Sequence, residues 1–261
     1  MNCAKSLPLK RRSSNTLPMR WIAYPLKCFL FGILAMQLYF AVQIAVWAFV
    51  DPSTTAFQRA ERWRLCTWHW SCPIESRWVP YENIASSLKR AVLVSEDDIF
   101  FQHPGVRVSD MQKAWEKNQK QAKNKKAPVL RGGSTITQQL GKNLFLSSEQ
   151  HYVRKAQELV ITGLLELILS KERLFEIYLN SVEWGEGIFG VGAAAKHYFV
   201  TTPQQLDREQ AASLASALPA PKCFDKAQYC RRGRIDYGAR QEFILANMDR
   251  IALPKVAKQT K

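Results

Sequence analysis

Residues 132–143 read GGSTITQQLGKN. Two glycines break the chain, and Thr135-x-x-Gln138 has the spacing of a capping box, in which a hydroxyl accepts the backbone N–H three residues on while the amide reaches back. The spacing predicts a helix from there to about Leu144. Outward along the chain the signal recurs. Ser147-x-x-Gln150 opens a long apolar-rich helix to about Leu169, Ser170-x-x-Arg173 restarts helix to Asn180, and Asp207-x-x-Gln210 caps a helix that Pro219 stops. Ile235 to Ile251 reads as the last helix, and Asn83 as the N-cap of one from Ile84 to about Gln102. Gly185 to Gly192 reads as glycine-rich loop, and residues 117–126, KNQKQAKNKK, as a solvated loop. Alternating strand patterns are nearly absent, so the fold class is mainly α.

Upstream, Cys28 to Val50 is 23 residues without a charge. As a helix it spans about 34 Å, enough for a bilayer core of about 30 Å. The run is longer than the apolar centre of a signal peptide, and bulky residues stand where small-x-small cleavage would occur. The 27 residues before it hold six cations and no acid, which keeps them cytoplasmic and places everything after Asp51 outside. The 261 residues carry 37 Lys+Arg against 22 Asp+Glu, and a composition 47% hydrophobic and 23% charged excludes wholesale disorder. The excess of cations asks for an anionic partner. Outside a membrane that excludes nucleic acid and leaves phosphate groups on lipids.

Three motifs carry candidate chemistry. In EDDIFFQHPG (96–105), one helix would put Glu96, Phe100 and His103 on one face, with the carboxyl against an aromatic ring, where a raised pKa suits a general base. The bland alternative is an acidic cluster on a solvated surface. In the second motif, 131–143, a glycine break before a capped helix leaves N–H groups free for a phosphate or sugar oxygen, with Lys142 two turns on. In the third, RKAQE (154–158), Glu158 lies i+4 from Arg154 and i+3 from Lys155: either a surface ion-pair trio or two cations for a diphosphate oriented by a carboxylate. Two other matches lack context. Gly185-x-Gly187-x-x-Gly190 follows a helix instead of a strand, and Ser86-x-x-Lys89 has no K-T-G downstream. Of six cysteines, Cys66, Cys72, Cys223 and Cys230 are exported and are expected to form one or two disulfides, with three connectivities open. Cys66-x2-His69-x2-Cys72 is alternatively half a zinc site.

Five blocks in order, EDDIFFQHPG (96–105), GGSTITQQLGKN (132–143), RKAQE (154–158), SKERLFEIYLN (170–180) and GIFGVGAAAKHYF (187–199), resemble the family 51 glycosyltransferases, the peptidoglycan polymerases, in the form without a transpeptidase domain. The resemblance implies a lysozyme-like, two-lobed helical domain, with the smaller lobe near the membrane and Lys117 to Lys126 in its mobile segment. It implies lipid II and the growing glycan chain as substrates, in bacterial cell wall biosynthesis. Glu96 falls at the family's general base and Glu158 at its second acid. Lys142, Arg154 and Lys155 are expected on the diphosphate. Ser134, Thr135, Gln138, Gln139 and Asn143 are expected along the sugar and phosphate path, with His103 beside them, and Glu176 and Asn180 to support the fold. Glu158 either orients the basic pair or helps a divalent ion, Mg²⁺ or Mn²⁺, bridge the diphosphate. No other cofactor is implied. Arg107 and Val200-Thr201 depart from the family pattern of an acid and a Gly-Lys.

The expected organisation is a basic cytoplasmic tail (1–27), a transmembrane helix (28–50), a juxtamembrane linker (51–77), a glycosyltransferase domain (78–252) on the periplasmic side of the inner membrane, and a basic tail (253–261). Transpeptidases and division proteins are the expected protein partners. A lytic, lysozyme-like hydrolase is the competing enzyme reading, because it also works with one glutamate as acid.

Overall fold

The computed structural model describes residues 20–69, 74–107, 134–146, 152–230 and 235–254. The Ser147–Gln150 box, the 117–126 loop, Gly132-Gly133, Cys72 and residues 1–19 and 255–261 of the basic tails lie outside the described residues. The chain divides into two compact units, 1–42 and 43–261.

Helix α1 (Arg20–Trp47) contains a stretch, Tyr24–Trp47, with a mean hydropathy of 2.0, long and apolar enough to cross a membrane. Phe29, Phe31, Leu34 and Leu38 are all exposed on it, so it is apolar all round, which suits lipid and not water. The helix starts before the expected Cys28, taking in Lys27, and ends before Val50. Residues Ala48 to Val50 form turns.

Within the second unit, helix α2 (Ala56–His69) lies in the stretch read as a linker. Thr55 Oγ1 accepts Gln58 N–H at 3.1 Å and Gln58 Oε1 accepts Thr55 N–H at 2.9 Å, a capping box that the sequence reading passed over. The helix expected from Ile84 to Gln102 is shorter and broken. Tyr81–Asn83 form a 3-10 turn and Ile84 is extended, so α3 runs Ser86–Glu96. Asp97 at φ −164° stops it, and Phe100–Gln102 is a separate 3-10 turn. Glu96, Phe100 and His103 therefore do not share a helix face.

Capping chemistry accounts for the rest. Helix α4 (Ile136–Phe145) has the complete Thr135–Gln138 box. Helix α5 (Tyr152–Ile168) is followed by α6 (Lys171–Ser181), where Ser170 accepts Arg173 N–H. A small sheet, absent from the sequence reading, comes next. Strands β2 (Glu183–Gly185) and β3 (Ile188–Phe189) form an antiparallel hairpin, and β1 (Glu75–Ser76) joins β3 in parallel. Helix α7 (Gly190–Phe199) begins where loop was expected. The G-x-G-x-x-G match is this hairpin: Gly187 and Gly190 have φ of 73° and 77°, and a Cβ on Gly190 would lie 2.5 Å from the Asn180 carbonyl oxygen. Helices α8 (Arg208–Ala217, boxed by Asp207 and Gln210), α9 (Pro221–Asp225) and α10 (Tyr237–Asn247, capped by Asp236) complete the chain.

α3 packs on α8 and α10, while α4 packs on α5 and α6. Between them Phe100, Phe175 and Tyr178 stack, with Phe100–Phe175 centroids 5.6 Å apart. Each large apolar side chain so buried is worth about 1.5–3 kcal/mol. Asn180 supports the fold as expected, acting as a surrogate strand: its Oδ1 accepts Val79 N–H and its Nδ2 donates to Val79 O, both at 2.8 Å. The lysine of the S-x-x-K match is structural, since Lys89 Nζ lies 3.8 Å from the centre of the Tyr81 ring. Val200, 89% exposed, ends α7 with φ +53°. That left-handed position favours glycine at a helix end, and a β-branched residue there is strained.

The hairpin is pinned by charge. Glu186 receives Arg64, Lys226 and the Tyr229 hydroxyl, and Lys222 Nζ reaches Glu61 at 2.6 Å and Glu183 at 3.3 Å. Burial pushes Glu183 up to about 7; Lys222 pulls it down and Glu61 pushes it further up. A carboxyl raised on folding contributes stability that is full below its unfolded pKa and is lost as the pH rises through about 7. Glu183→Gln is therefore expected to exceed the wild type by up to about 3 kcal/mol at pH 8, with the gap closing toward pH 5. Denaturant unfolding at the two pH values measures it, and an equal difference at both would rule the assignment out.

Candidate active site

Glu96 is the last residue of α3, and hydrogen bonds hold both of its oxygens. Gln139 Nε2 donates to Oε2 at 2.9 Å, and Gln139 Oε1 accepts the hydroxyl of the buried Tyr178 at 3.1 Å. Ser95 Oγ lies 3.0 Å from Oε1. Arg240 Nη2, from α10, is 4.0 Å from that oxygen. The Glu96 side chain is only 12% exposed. Burial pushes its pKa above the usual carboxylate range; bonds from Gln139 and Ser95 and the Arg240 charge pull it back, and Asp97 pushes it up. A carboxylate of raised pKa holds a proton more firmly and is a stronger base near neutrality.

The turn after Glu96 sets this placement. The Asp97 carboxylate accepts His103 Nε2–H at 2.9 Å and Ile136 N–H at 3.2 Å, so it ends α3 and sits on the positive end of α4 at once. His103 Nδ1 accepts Gly105 N–H, which puts the ring proton on Nε2. Gly105, at φ +80°, passes so near α5 that a Cβ would lie 2.6 Å from Glu166 Cγ, and its carbonyl accepts the Thr135 hydroxyl. His103 thus locks the turn and is buried, with its two ring nitrogens held by Asp97 and Gly105. Arg107 pairs with Asp98 at 2.9 Å, so the departure from the family pattern is met by a local acid.

The cations come from α4 and α5. Glu158, only 3% exposed, accepts Arg154 Nη1–H at 3.1 Å and pairs with Lys155 Nζ, so a buried carboxylate anchors the two cations. Arg154 Nε is buried with no hydrogen-bond partner among the described residues, a donor left for a ligand. Burial holds Lys142 below the usual lysine range; Glu158 and Glu96 raise it, while Arg154 and Lys155 lower it. One lysine therefore feels both carboxylates and both other cations.

Of the residues expected along the substrate path, Gln139 is in place on Glu96 and Ser134 is part-exposed at the head of α4. Thr135 and Gln138 are 2% and 1% exposed and form the helix cap, which uses Gln138 Oε1 and leaves Gln138 Nε2 buried without a hydrogen-bond partner among the described residues, and Asn143 is buried as well. A capping box turns its hydroxyl and its amide oxygen toward backbone N–H groups. Ser95, Tyr178 and Arg240 were missed. Tyr178 lay within a recognised block, but no motif marked Ser95 or Arg240.

The donor set does not fit a resident metal. Both Glu158 oxygens are taken by cations, and no group of three or more His, Cys, Asp or Glu stands together among the described residues. The zinc alternative also falls, because Cys66 is disulfide-bonded and Cys223 pairs with Cys230.

A buried carboxylate held by Gln139, and a second buried carboxylate that holds Arg154 and Lys155, on a mainly helical body whose chain also carries a membrane-length helix, define a lysozyme-like glycosyltransferase that works against an anionic leaving group. The chain belongs to the transglycosylase family, whose model matches residues 68–249. It is 57% identical over 238 residues to the biosynthetic peptidoglycan transglycosylase of Cupriavidus pinatubonensis, covering 91% of this chain and 92% of that one. The protein of the same name from Cupriavidus metallidurans is 56% identical over 90% of this chain and all of its own length. That from Paraburkholderia xenovorans is 45% identical over 94% and 98%.

Proposed function

We propose that Glu96 is the general base of glycan-chain polymerisation, taking the proton from the 4-hydroxyl of lipid II as that oxygen attacks the anomeric carbon of the lipid-linked chain. The chain is a peptidoglycan glycosyltransferase of cell wall synthesis, acting on lipid II and glycan at the membrane. The lytic alternative has no support among the relatives. One displacement turns the α diphosphate linkage into a β glycosidic bond, so no glycosyl-enzyme is required. As undecaprenyl diphosphate departs, Lys142, Arg154 and Lys155 stabilise its charge, and Glu158 keeps the basic pair oriented. The observation that carries this reading is the buried Glu96 carboxylate gripped by Gln139.

Any Mg²⁺ or Mn²⁺ is assigned to the oxygens of the substrate diphosphate, because both Glu158 oxygens already hold Arg154 and Lys155. The N-terminal tail, with six cations and no acid, supports a cytoplasmic start and a periplasmic catalytic domain. The polymer must be cross-linked, which supports transpeptidases and division proteins as partners. Detergent-solubilised full-length protein incubated with labelled lipid II, with and without EDTA, tests the reading. Lengthening products are expected, whereas shortening of preformed glycan with no growth from lipid II would reverse it.

A further inference from the structure

Helix α10 lies beyond the last recognised block, which ends at Phe199, yet it brings a cation to the base. Arg240 Nη2 donates to Ser95 Oγ at 3.0 Å, and Ser95 Oγ is 3.0 Å from Glu96 Oε1. We propose that Arg240 is a positioning residue for Glu96, directing the Ser95 hydroxyl onto the carboxylate and keeping that buried carboxylate available as a proton acceptor. This rests on Glu96 being the base.

Ser95 has one proton and two acceptors in reach, Glu96 Oε1 and the Ala215 carbonyl, each at 3.0 Å. The N–H from Arg240 occupies a lone pair of the hydroxyl. Its proton then goes to the ionised oxygen, because a charge-assisted bond is the stronger of the two. Gln139 holds the opposite oxygen, so the carboxylate cannot swing away. The groups facing Glu96 are Gln139 and Lys142 from α4, Tyr178 from α6, Ala215 O from α8, Arg240 from α10 and its neighbour Asp97. Of the two cations, Lys142 is assigned to the diphosphate. Arg240 is the one whose removal touches the base alone.

Removing a cation about 4 Å from a carboxylate favours its protonated form. Arg240→Met in the full-length detergent-solubilised enzyme is expected to move the acid limb of the kcat/KM pH profile upward by about one unit. The rate at the old midpoint would fall about fivefold while the alkaline plateau survives. Arg240→Lys should return the limb most of the way. Ser95→Ala, which removes only a hydroxyl and serves if Arg240→Met does not fold, should move the limb in the same direction. A uniform loss across pH, or a limb unmoved in either variant, overturns the proposal. Glu96→Gln run alongside separates the two failures. If that variant polymerises normally the base reading itself fails, and if it is inactive while the limb stays put only the role of Arg240 fails.

Discussion

Glu96→Gln should leave a folded protein that polymerises lipid II on the order of 10³-fold more slowly. The substitution keeps the shape and the hydrogen-bonding length of the side chain, so Gln139 and Ser95 can still contact it, but the amide cannot accept a proton at neutral pH. Thermal unfolding should show no loss. Burial raises the Glu96 pKa, so the ionised wild-type carboxylate is the costly form and its neutral isostere is at least as stable. A large loss of turnover at unchanged or raised stability is the signature of a strained functional group. If initial rates of lipid II consumption stay within tenfold of the wild type, the proton goes elsewhere.

Lys142→Met should have the second largest effect, lowering kcat by on the order of 10²- to 10³-fold. Lys142 is held below the usual lysine range chiefly by burial, with Arg154 and Lys155 adding repulsion. An ammonium in that position is unfavourable until an anion arrives. As the leaving diphosphate gains charge, the interaction strengthens, so the loss should fall on kcat more than on KM. Methionine fills nearly the same volume beside the Phe57 ring, which lies 5.4 Å from Nζ, and should not destabilise the substrate-free protein. Arginine at 142 should restore part of the rate, because it restores the charge. A drop in kcat matched by a comparable drop in melting temperature would point to packing instead of catalysis.

Local chemistry was the legible part. Capping boxes at Thr135 and Asp207 and the Ser170 cap appear where their spacing put them, because each is a contact between residues three apart in sequence. Breaks in helices were harder to read. Residues 84–102 have helical periodicity throughout, yet Asp97 leaves the helix to accept His103 and the α4 N-terminus, contacts six and 39 residues away. The hairpin at 183–189 reads as loop because two- and three-residue strands are too short for an alternating pattern, and its third strand, Glu75–Ser76, joins from far upstream. At the site the contacts were the part that the sequence did not carry. Thr135 and Gln138 read as substrate ligands, and the structure shows Thr135 Oγ1 and Gln138 Oε1 in the helix cap.

What the amino-acid order alone determined is the helical class, the apolar span, the acidic residue to watch and the basic cluster. All of these depend on periodicity, composition and short spacings. Only the tertiary structure decided that Glu96 ends its helix, that Gln139 and Tyr178 brace it, and that Arg240, 144 positions along, reaches the serine beside it. A pKa depends on burial and on charges a few ångströms off, and neither exists until distant segments have packed together.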